Sequence, residues 1–178
     1  MPISIGLDLS LVKSGVVILS NGVIIKQQLV RSKPVGDRPI DELKRIQKIV
    51  NQIKEIIQEG LIPDVAVIEN MAFMSRNTTS LTQLAGLNYF VRAMLLSCGV
   101  PFYMCAPTTL KKFATGKGNS EKDHILLEAY KQYGVDAIDN NIADALFLAK
   151  IGSAIIGHEK MTADYQREVV ELLKKQLI

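Results

Sequence analysis

The chain has 178 residues, 48% of them hydrophobic, and a formal net charge of +3 at pH 7. This length suits one compact domain over residues 1–178 that buries a real core. No run approaches the roughly 18 consecutive apolar residues of a bilayer span, which excludes a membrane protein. The N-terminus lacks the positive charge of a signal peptide, so we expect a cytoplasmic protein. The net charge allows an acidic partner without indicating nucleic acid by itself.

The N-terminal part of the chain predicts three short strands, over about 3–9, 14–19 and 23–29. Ser20-Asn21-Gly22 is typical of a hairpin turn between the last two. A helix is predicted over about 41–58, because apolar residues recur there at helical spacing: Leu43, Ile46, Ile49, Val50, Ile53 and Ile57. A fourth strand over 65–68, a helix near 80–97 and a fifth strand over 101–106 follow.

Helices dominate the rest of the chain. Pro107 opens a short helix, Ser120 caps another that runs to about 133, and a third carries Asp144 to about 156. The segment 162–177 predicts a packed terminal helix, whose apolar stripe comprises Tyr165, Val169, Leu172 and Leu173.

Three acidic residues interrupt apolar segments: Asp8 in the first strand, Glu69 at the end of the fourth, and Asp144 within 142–148. Burying an ionised carboxylate is costly unless a cation, a proton or hydrogen bonds compensate it. Taken singly, each acid is equally well explained as a cap or a salt-bridge partner. Together they predict a site for Mg²⁺ or Mn²⁺, which prefer oxygen ligands, and hence metal-assisted phosphoryl chemistry.

Cysteine and lysine content refine this picture. Cys98 and Cys105 lack the additional cysteines or nearby histidines of a zinc site, so we expect buried free thiols rather than a disulfide. Lysines cluster in one segment broken by Gly116 and Gly118: Lys111, Lys112, Lys117 and Lys122. The cluster indicates either a flexible basic loop that approaches a phosphate backbone or a set of solvated surface lysines.

The order of the elements, with acids on the first strand, at the end of the fourth and on a late helix, resembles the RNase H-like nucleases. Within 3–156, motifs resemble the RuvC family of Holliday-junction resolvases: Glu69-Asn70-Met71-Ala72-Phe73-Met74-Ser75-Arg76-Asn77, Leu110-Lys111-Lys112 with Gly116-Lys117-Gly118-Asn119-Ser120-Glu121-Lys122, and Ala143-Asp144-Ala145-Leu146. The resemblance implies an α/β RNase H-like fold with a five-stranded mixed sheet, three antiparallel strands and then two parallel ones, flanked by helices.

The resemblance also implies that Asp8, Glu69 and Asp144 bind two Mg²⁺ ions, which Mn²⁺ can replace, around a scissile phosphate. One ion would ready a water for in-line attack and the other would stabilise the departing 3′-oxygen, leaving 5′-phosphate and 3′-hydroxyl ends. Asn141 stands where the family commonly has an acid or a histidine, and would be a weaker ligand. Asp139 is either an N-cap, the favoured interpretation, or a fourth carboxylate ligand.

The resemblance also implies contacts with DNA. Lys122 matches the family lysine that stabilises charge near the scissile phosphate, and Lys111 matches a second that contacts the backbone. Phe73 either stacks among bases at the branch point or packs in the core. Arg76 and Asn77 are interpreted as phosphate contacts.

A homodimer is implied as well, through the helix near 80–97, whose apolar face serves either the core or a partner: Leu81, Leu84, Leu87, Phe90, Val91, Met94 and Leu95. The sequence does not indicate a branch-migration motor. We therefore predict a structure-selective, Mg²⁺-dependent endodeoxyribonuclease that nicks four-way junctions symmetrically. The alternatives are another RNase H-like nuclease, acting on RNA/DNA hybrids, flaps or forks, and a junction-binding protein with weak catalysis.

Overall fold

A computed structural model of the chain describes residues 1–58, 62–71, 78–134 and 139–177. Within these ranges five strands form one mixed sheet in the order β3-β2-β1-β4-β5. The strands are β1 (Ile3–Asp8), β2 (Lys13–Ser20), β3 (Val23–Arg31), β4 (Val65–Glu69) and β5 (Phe102–Cys105). β1, β2 and β3 pair antiparallel, whereas β4 pairs parallel with both β1 and β5. The predicted five-stranded mixed sheet is confirmed.

Helices cover both faces of this sheet. On one face lie α1 (Pro39–Gln58) and α2 (Thr78–Ser97); on the other lie α3 (Pro107–Thr115), α4 (Lys122–Tyr133), α5 (Asn140–Ile155) and α6 (Asp164–Lys174), which a 3₁₀ turn (Lys175–Leu177) follows. None of the helices in the described ranges combines the length and the hydropathy that crossing a bilayer requires.

The side chains of the central strands point alternately to the two faces of the sheet, and this divides the core into two layers. Ile5 and Leu7 of β1 pack with the residues of α1 and α2, whereas Val17 and Leu19 of β2 pack with those of α5. Successive side chains of a strand point to opposite faces, so each central strand serves both layers. β1 is buried along its whole length, as expected for a strand covered on both faces.

The hairpin between β2 and β3 turns at Asn21 and Gly22, which have φ angles of 49° and 75°. Positive φ at both central residues is the signature of the type I′ turn that Asn-Gly favours. The hairpin turn predicted from these two residues is therefore confirmed.

Helix α5 lies unusually close to β1 and β2 because two glycines face it. A Cβ atom added at Gly6 would fall on the carbonyl oxygen of Ala145, and one added at Gly15 would fall on the carbonyl oxygen of Asn141. The hydroxyl of Ser4 donates to the carbonyl of Ala149, 2.9 Å away, and fixes the next turn of the helix against β1. These contacts set the height of α5 above the sheet.

Some local predictions are wrong. Ser120 does not cap α4: the N-cap is Glu121, and the Ser120 hydroxyl instead shares a 2.6 Å hydrogen bond with that of Thr115. Leu43 and Leu172 are exposed, at 44% and 54%, although both fall on predicted apolar stripes. Each lies at the margin of its helix face, where the helical period alone does not distinguish core from solvent.

Replacing Gly6 with alanine should force α5 away from β1, because the new methyl group meets backbone atoms that cannot rotate aside. We expect the free energy of unfolding to fall by about 3 kcal/mol or more, at the upper end of overpacking costs. Denaturant titration measures this change.

Gly86→Ala is the control, because its Cβ would meet only the Ile46 side chain, at 3.4 Å. In mid-helix that change should be neutral or stabilise the protein by up to about 1 kcal/mol. Equal stability of the Gly6→Ala protein and the wild type would contradict the packing described.

Candidate metal and nucleic-acid site

The three acids come together at one edge of the sheet. Leu7 and Ile68 are paired on the adjacent parallel strands β1 and β4, so the residues that follow them, Asp8 and Glu69, end neighbouring strands side by side. Asp144 reaches the same place from α5, one residue before the carbonyl that rests against Gly6. All three acids line a single cavity of about 400 Å³.

Burial and mutual repulsion make these carboxyl groups hold protons. Burial, followed by the charge of Glu69 and a hydrogen bond with it, raises the pKa of Asp8 from 3.8 to about 8. Burial and the charge of Asp144 raise the pKa of Glu69 to about 6. Burial and the charge of Asp8 raise the pKa of Asp144 to about 7. Near neutral pH the three groups therefore do not all ionise unless positive charge is added.

The predicted basic segment divides into two pairs of lysines. Lys111 on α3 and Lys122 at the start of α4 line the cavity, and their charges lower the pKa of Glu69 and of Asp144. Lys112 points elsewhere and pairs with Glu168 at 2.7 Å, and Lys117 is not among the cavity residues. Part of the segment is helical, since α3 extends to Thr115 and α4 begins at Lys122, and residues 116–121 form the loop between them.

Asp139 caps α5 and does not line the cavity. Its side chain accepts a hydrogen bond from the Asn141 N–H at 3.0 Å and pairs with the ammonium group of Lys13 at 2.5 Å. Burial raises the pKa of Asp139, but these two partners outweigh burial and hold that pKa below its ordinary value. The predicted N-cap is confirmed. Asn141 lines the cavity while its amide group donates to the carbonyl of Lys13.

The donor set fits hard divalent cations. The acids offer oxygen, and the nearby sulfur of Cys105 stays a neutral thiol because burial and the charge of Glu69 raise its pKa. Both cysteines are free, Cys105 buried and Cys98 only partly so. Among the described residues, no three Asp, Glu, His or Cys side chains form a ready-made cage for one ion. Mg²⁺ rarely needs such a cage, because one or two carboxylates suffice when water and phosphate oxygens complete its shell.

Three polar residues that received no role from the sequence also line the cavity: Ser10, Asn70 and Asn88. Asn88 had a detectable signal, because it interrupts the apolar face of α2 four residues after Leu84 and three before Val91. Leu9, which precedes Ser10, lies against the cavity as well. The predicted DNA contacts Phe73, Arg76 and Asn77 lie outside the described residues.

Comparison with known proteins gives consistent results. The family model described as Crossover junction endodeoxyribonuclease RuvC matches residues 4–152. A curated RuvC from Prochlorococcus marinus (strain MIT 9303) is 29% identical over 154 residues, which cover 83% of this chain and 96% of the relative. The RuvC of Chlorobium phaeovibrioides is 28% identical over 107 residues. That match covers 59% of this chain and 56% of the relative.

Among solved structures, T. thermophilus RuvC in complex with Holliday junction substrate superposes with a TM-score of 0.74 at 19% identity. The superposition covers 90% of this chain and 99% of the other, and at that identity it establishes the RNase H-like fold. The family match runs from β1 through most of α5 and so includes all three acids and both cavity lysines. The chain therefore belongs to the RuvC family of crossover junction endodeoxyribonucleases.

Proposed function

We propose that this chain is a Mg²⁺-dependent endonuclease that resolves Holliday junctions by nicking two symmetrically related strands. The observation that carries the proposal is the convergence of Asp8, Glu69 and Asp144, beside Lys111 and Lys122, on one cavity. Acids that repel each other there favour divalent cations, and the lysines favour an anionic substrate. Membership of the RuvC family supports a branched DNA as that substrate.

Asp8, Glu69 and Asp144 would hold two Mg²⁺ ions, with Mn²⁺ as a substitute, and Asn141 would add a neutral oxygen. Bound there, the ions supply activation of the attacking water and stabilisation of the departing oxygen. The donation from the Asn141 amide group to the Lys13 carbonyl leaves the side-chain oxygen as the atom that can face an ion. The site would then carry one negative charge fewer than a site with four carboxylates.

The two cavity lysines would act on the DNA strand. The charge of Lys122 reaches all three acids, so it lies where the negative charge of a bound phosphate would concentrate. Lys111 stands one helix away on α3 and would hold the adjacent backbone. Lys112 and Lys117 lie beyond the cavity, and we assign them to the DNA arms. Phe73, Arg76 and Asn77, between Glu69 and α2, remain proposed DNA contacts.

A homodimer is part of the proposal, and helix α2 supports it. Tyr89 and Leu96 are 63% and 74% exposed and lie seven residues apart on one face, with Phe90 beside them at 45%. The guanidinium group of Arg92 stacks 4.2 Å from the centre of the Tyr89 ring on the same face. Large exposed apolar side chains at helical spacing are typical of a protein interface. A two-fold dimer would present two active sites to a four-way junction.

A fixed four-way junction, labelled on each strand in turn and incubated with Mg²⁺, tests the function. We expect paired nicks at symmetric positions in two opposed strands. Asp8→Asn should slow cleavage at least about a thousandfold, the equivalent of about 4 kcal/mol of transition-state stabilisation, because it removes a charge that interacts with both other acids. Junction affinity, measured by gel shift, should stay near that of the wild type.

Asp164→Asn on the exposed side of α6 is the matched control and should cleave normally. Stable junction binding without cleavage in Mg²⁺ or Mn²⁺ would favour a binding protein, for which the neutral Asn141 is the supporting observation. Preferential cleavage of hybrids, flaps or forks would favour another nuclease activity. Normal cleavage by the Asp8→Asn protein would refute the assignment of the site.

The pKa shifts predict how stability depends on pH in the absence of metal. The pKa of Asp8 rises from 3.8 to about 8 on folding, so the folded state holds the proton more tightly than the unfolded state. The stabilisation from this group is complete below its unfolded pKa and is lost as the pH rises through its folded pKa.

In EDTA, the Tm of Asp8→Asn relative to wild type should therefore increase from acid pH to pH 8 and above. Added Mg²⁺ should raise the wild-type Tm more at pH 8 than at acid pH, because it must displace protons. Differential scanning calorimetry measures both effects, with Asp164→Asn as the control for a carboxylate outside the site. A Tm difference between Asp8→Asn and wild type that does not change with pH would show that folding does not raise the pKa of Asp8.

A further inference from the structure

Asn88 is a buried amide in the wall of the cavity. The residue is only 3% exposed, and its side-chain nitrogen has no hydrogen-bond partner among the described residues. Even so, Asn88 lines the cavity that holds the three acids, as does Leu84 one turn earlier on α2. A buried amide without a partner in the wall of a cavity needs an acceptor, and a ligand bound in that cavity can supply one.

The packing of the described residues around Asn88 does not explain an amide at this position. Its neighbours on the buried face of α2, Leu87, Val91 and Leu95, are fully buried apolar residues. A leucine at position 88 would extend that face, and it would not leave a polar group unsatisfied in the folded protein. The amide therefore lowers the stability of the free protein, and a bound acceptor would offset that loss.

Asn88 also stands on the side of the cavity opposite the lysines. Leu87 of α2 belongs to the core layer on one face of the sheet, whereas Leu110 of α3 and Ile125 of α4, neighbours of Lys111 and Lys122, belong to the layer on the other face. A DNA strand in the cavity would thus have ammonium groups on one side and the amide on the other. A cation at position 88 would pair with the nearby acids, whereas an amide donates a hydrogen bond without adding charge.

We propose that Asn88 is a substrate-binding residue, whose side-chain amide donates a hydrogen bond to a phosphate oxygen of the DNA strand in the cavity. This inference rests on the proposed function. A phosphate oxygen is a charged acceptor, and hydrogen bonds to charged groups are the stronger ones. The lysines select an anion, and the amide fixes the position of its backbone from the opposite wall.

The test is junction affinity in the Asp8→Asn background, measured over a series of salt concentrations. Asn88→Leu should weaken binding about tenfold or more, the usual effect of losing a hydrogen bond to a charged group. The factor should be the same at every salt concentration, because an amide releases no counterion, whereas Lys111→Ala should reduce the salt dependence. The Tm of the free protein should stay equal or rise.

Gln52→Leu is the matched control, because Gln52 on α1 has a buried side-chain oxygen that also lacks a partner among the described residues, but it lies outside the cavity. That variant should leave affinity unchanged. Asn88→Ala replaces Asn88→Leu as the deciding variant if leucine lowers the Tm. Asn88→Asp distinguishes a contact with phosphate from a contact with a metal ion. If Asn88 contacts phosphate, the carboxylate should repel it and weaken binding further.

An affinity equal to that of the Asp8→Asn parent in Asn88→Leu or Asn88→Ala would overturn the inference. Tighter junction binding by Asn88→Asp than by the same parent in Mg²⁺ would overturn it as well. Cleavage of the junction by the protein with native Asp8 and Asn88 is measured alongside. If that protein cuts and the Asn88 variants bind normally, this inference fails while the proposed function stands. If it does not cut, the proposed function itself fails.

Discussion

The close packing of helix α5 on strands β1 and β2 is the constraint on which the site depends. Gly6 and Gly15 leave no side chain between the helix backbone and the sheet, so the carbonyls of Ala145 and Asn141 rest directly on the strands. Asp144 lies between these two contacts and is carried to the end of β1, next to Asp8. A larger residue at either glycine would lift α5 and separate carboxyl groups that come from distant parts of the chain.

Once Asp8, Glu69 and Asp144 are brought together, the repulsion between their negative charges determines how the cavity binds protons and cations. Burial and neighbouring charge raise the pKa of Asp8, Glu69 and Asp144, so these carboxyl groups keep protons near neutral pH unless positive charge replaces them, as the proposed divalent cations would. Lys111 and Lys122 offset part of that charge from the α3 and α4 side. In the proposed function the same cavity would attract both the cations and the phosphate that they act on, which is the combination that phosphodiester hydrolysis needs.

Much of this was predictable from local signals. Alternating and continuous apolar runs predict the strands, and Asn21 and Gly22 predict the hairpin turn. Acidic residues in apolar segments predict which side chains meet at the cavity. Other features depend on tertiary contacts that sequence does not display. The hydroxyl of Ser120 forms a hydrogen bond with that of Thr115 and so does not cap α4. The ammonium group of Lys112 pairs with Glu168 of α6 and so points away from the cavity. The interruption that Asn88 makes in the apolar face of α2 is visible in the sequence, but only the folded chain shows that Asn88 lines the cavity.

The central claim is that the three acids hold a pair of divalent ions. Anomalous scattering from crystals soaked in Mn²⁺ tests it most directly. The account predicts two peaks inside the cavity, within coordination distance of the carboxylate oxygens of Asp8, Glu69 and Asp144, and no peaks there in crystals of the Asp8→Asn protein. A cavity without manganese, or ions bound only elsewhere on the chain, would contradict it.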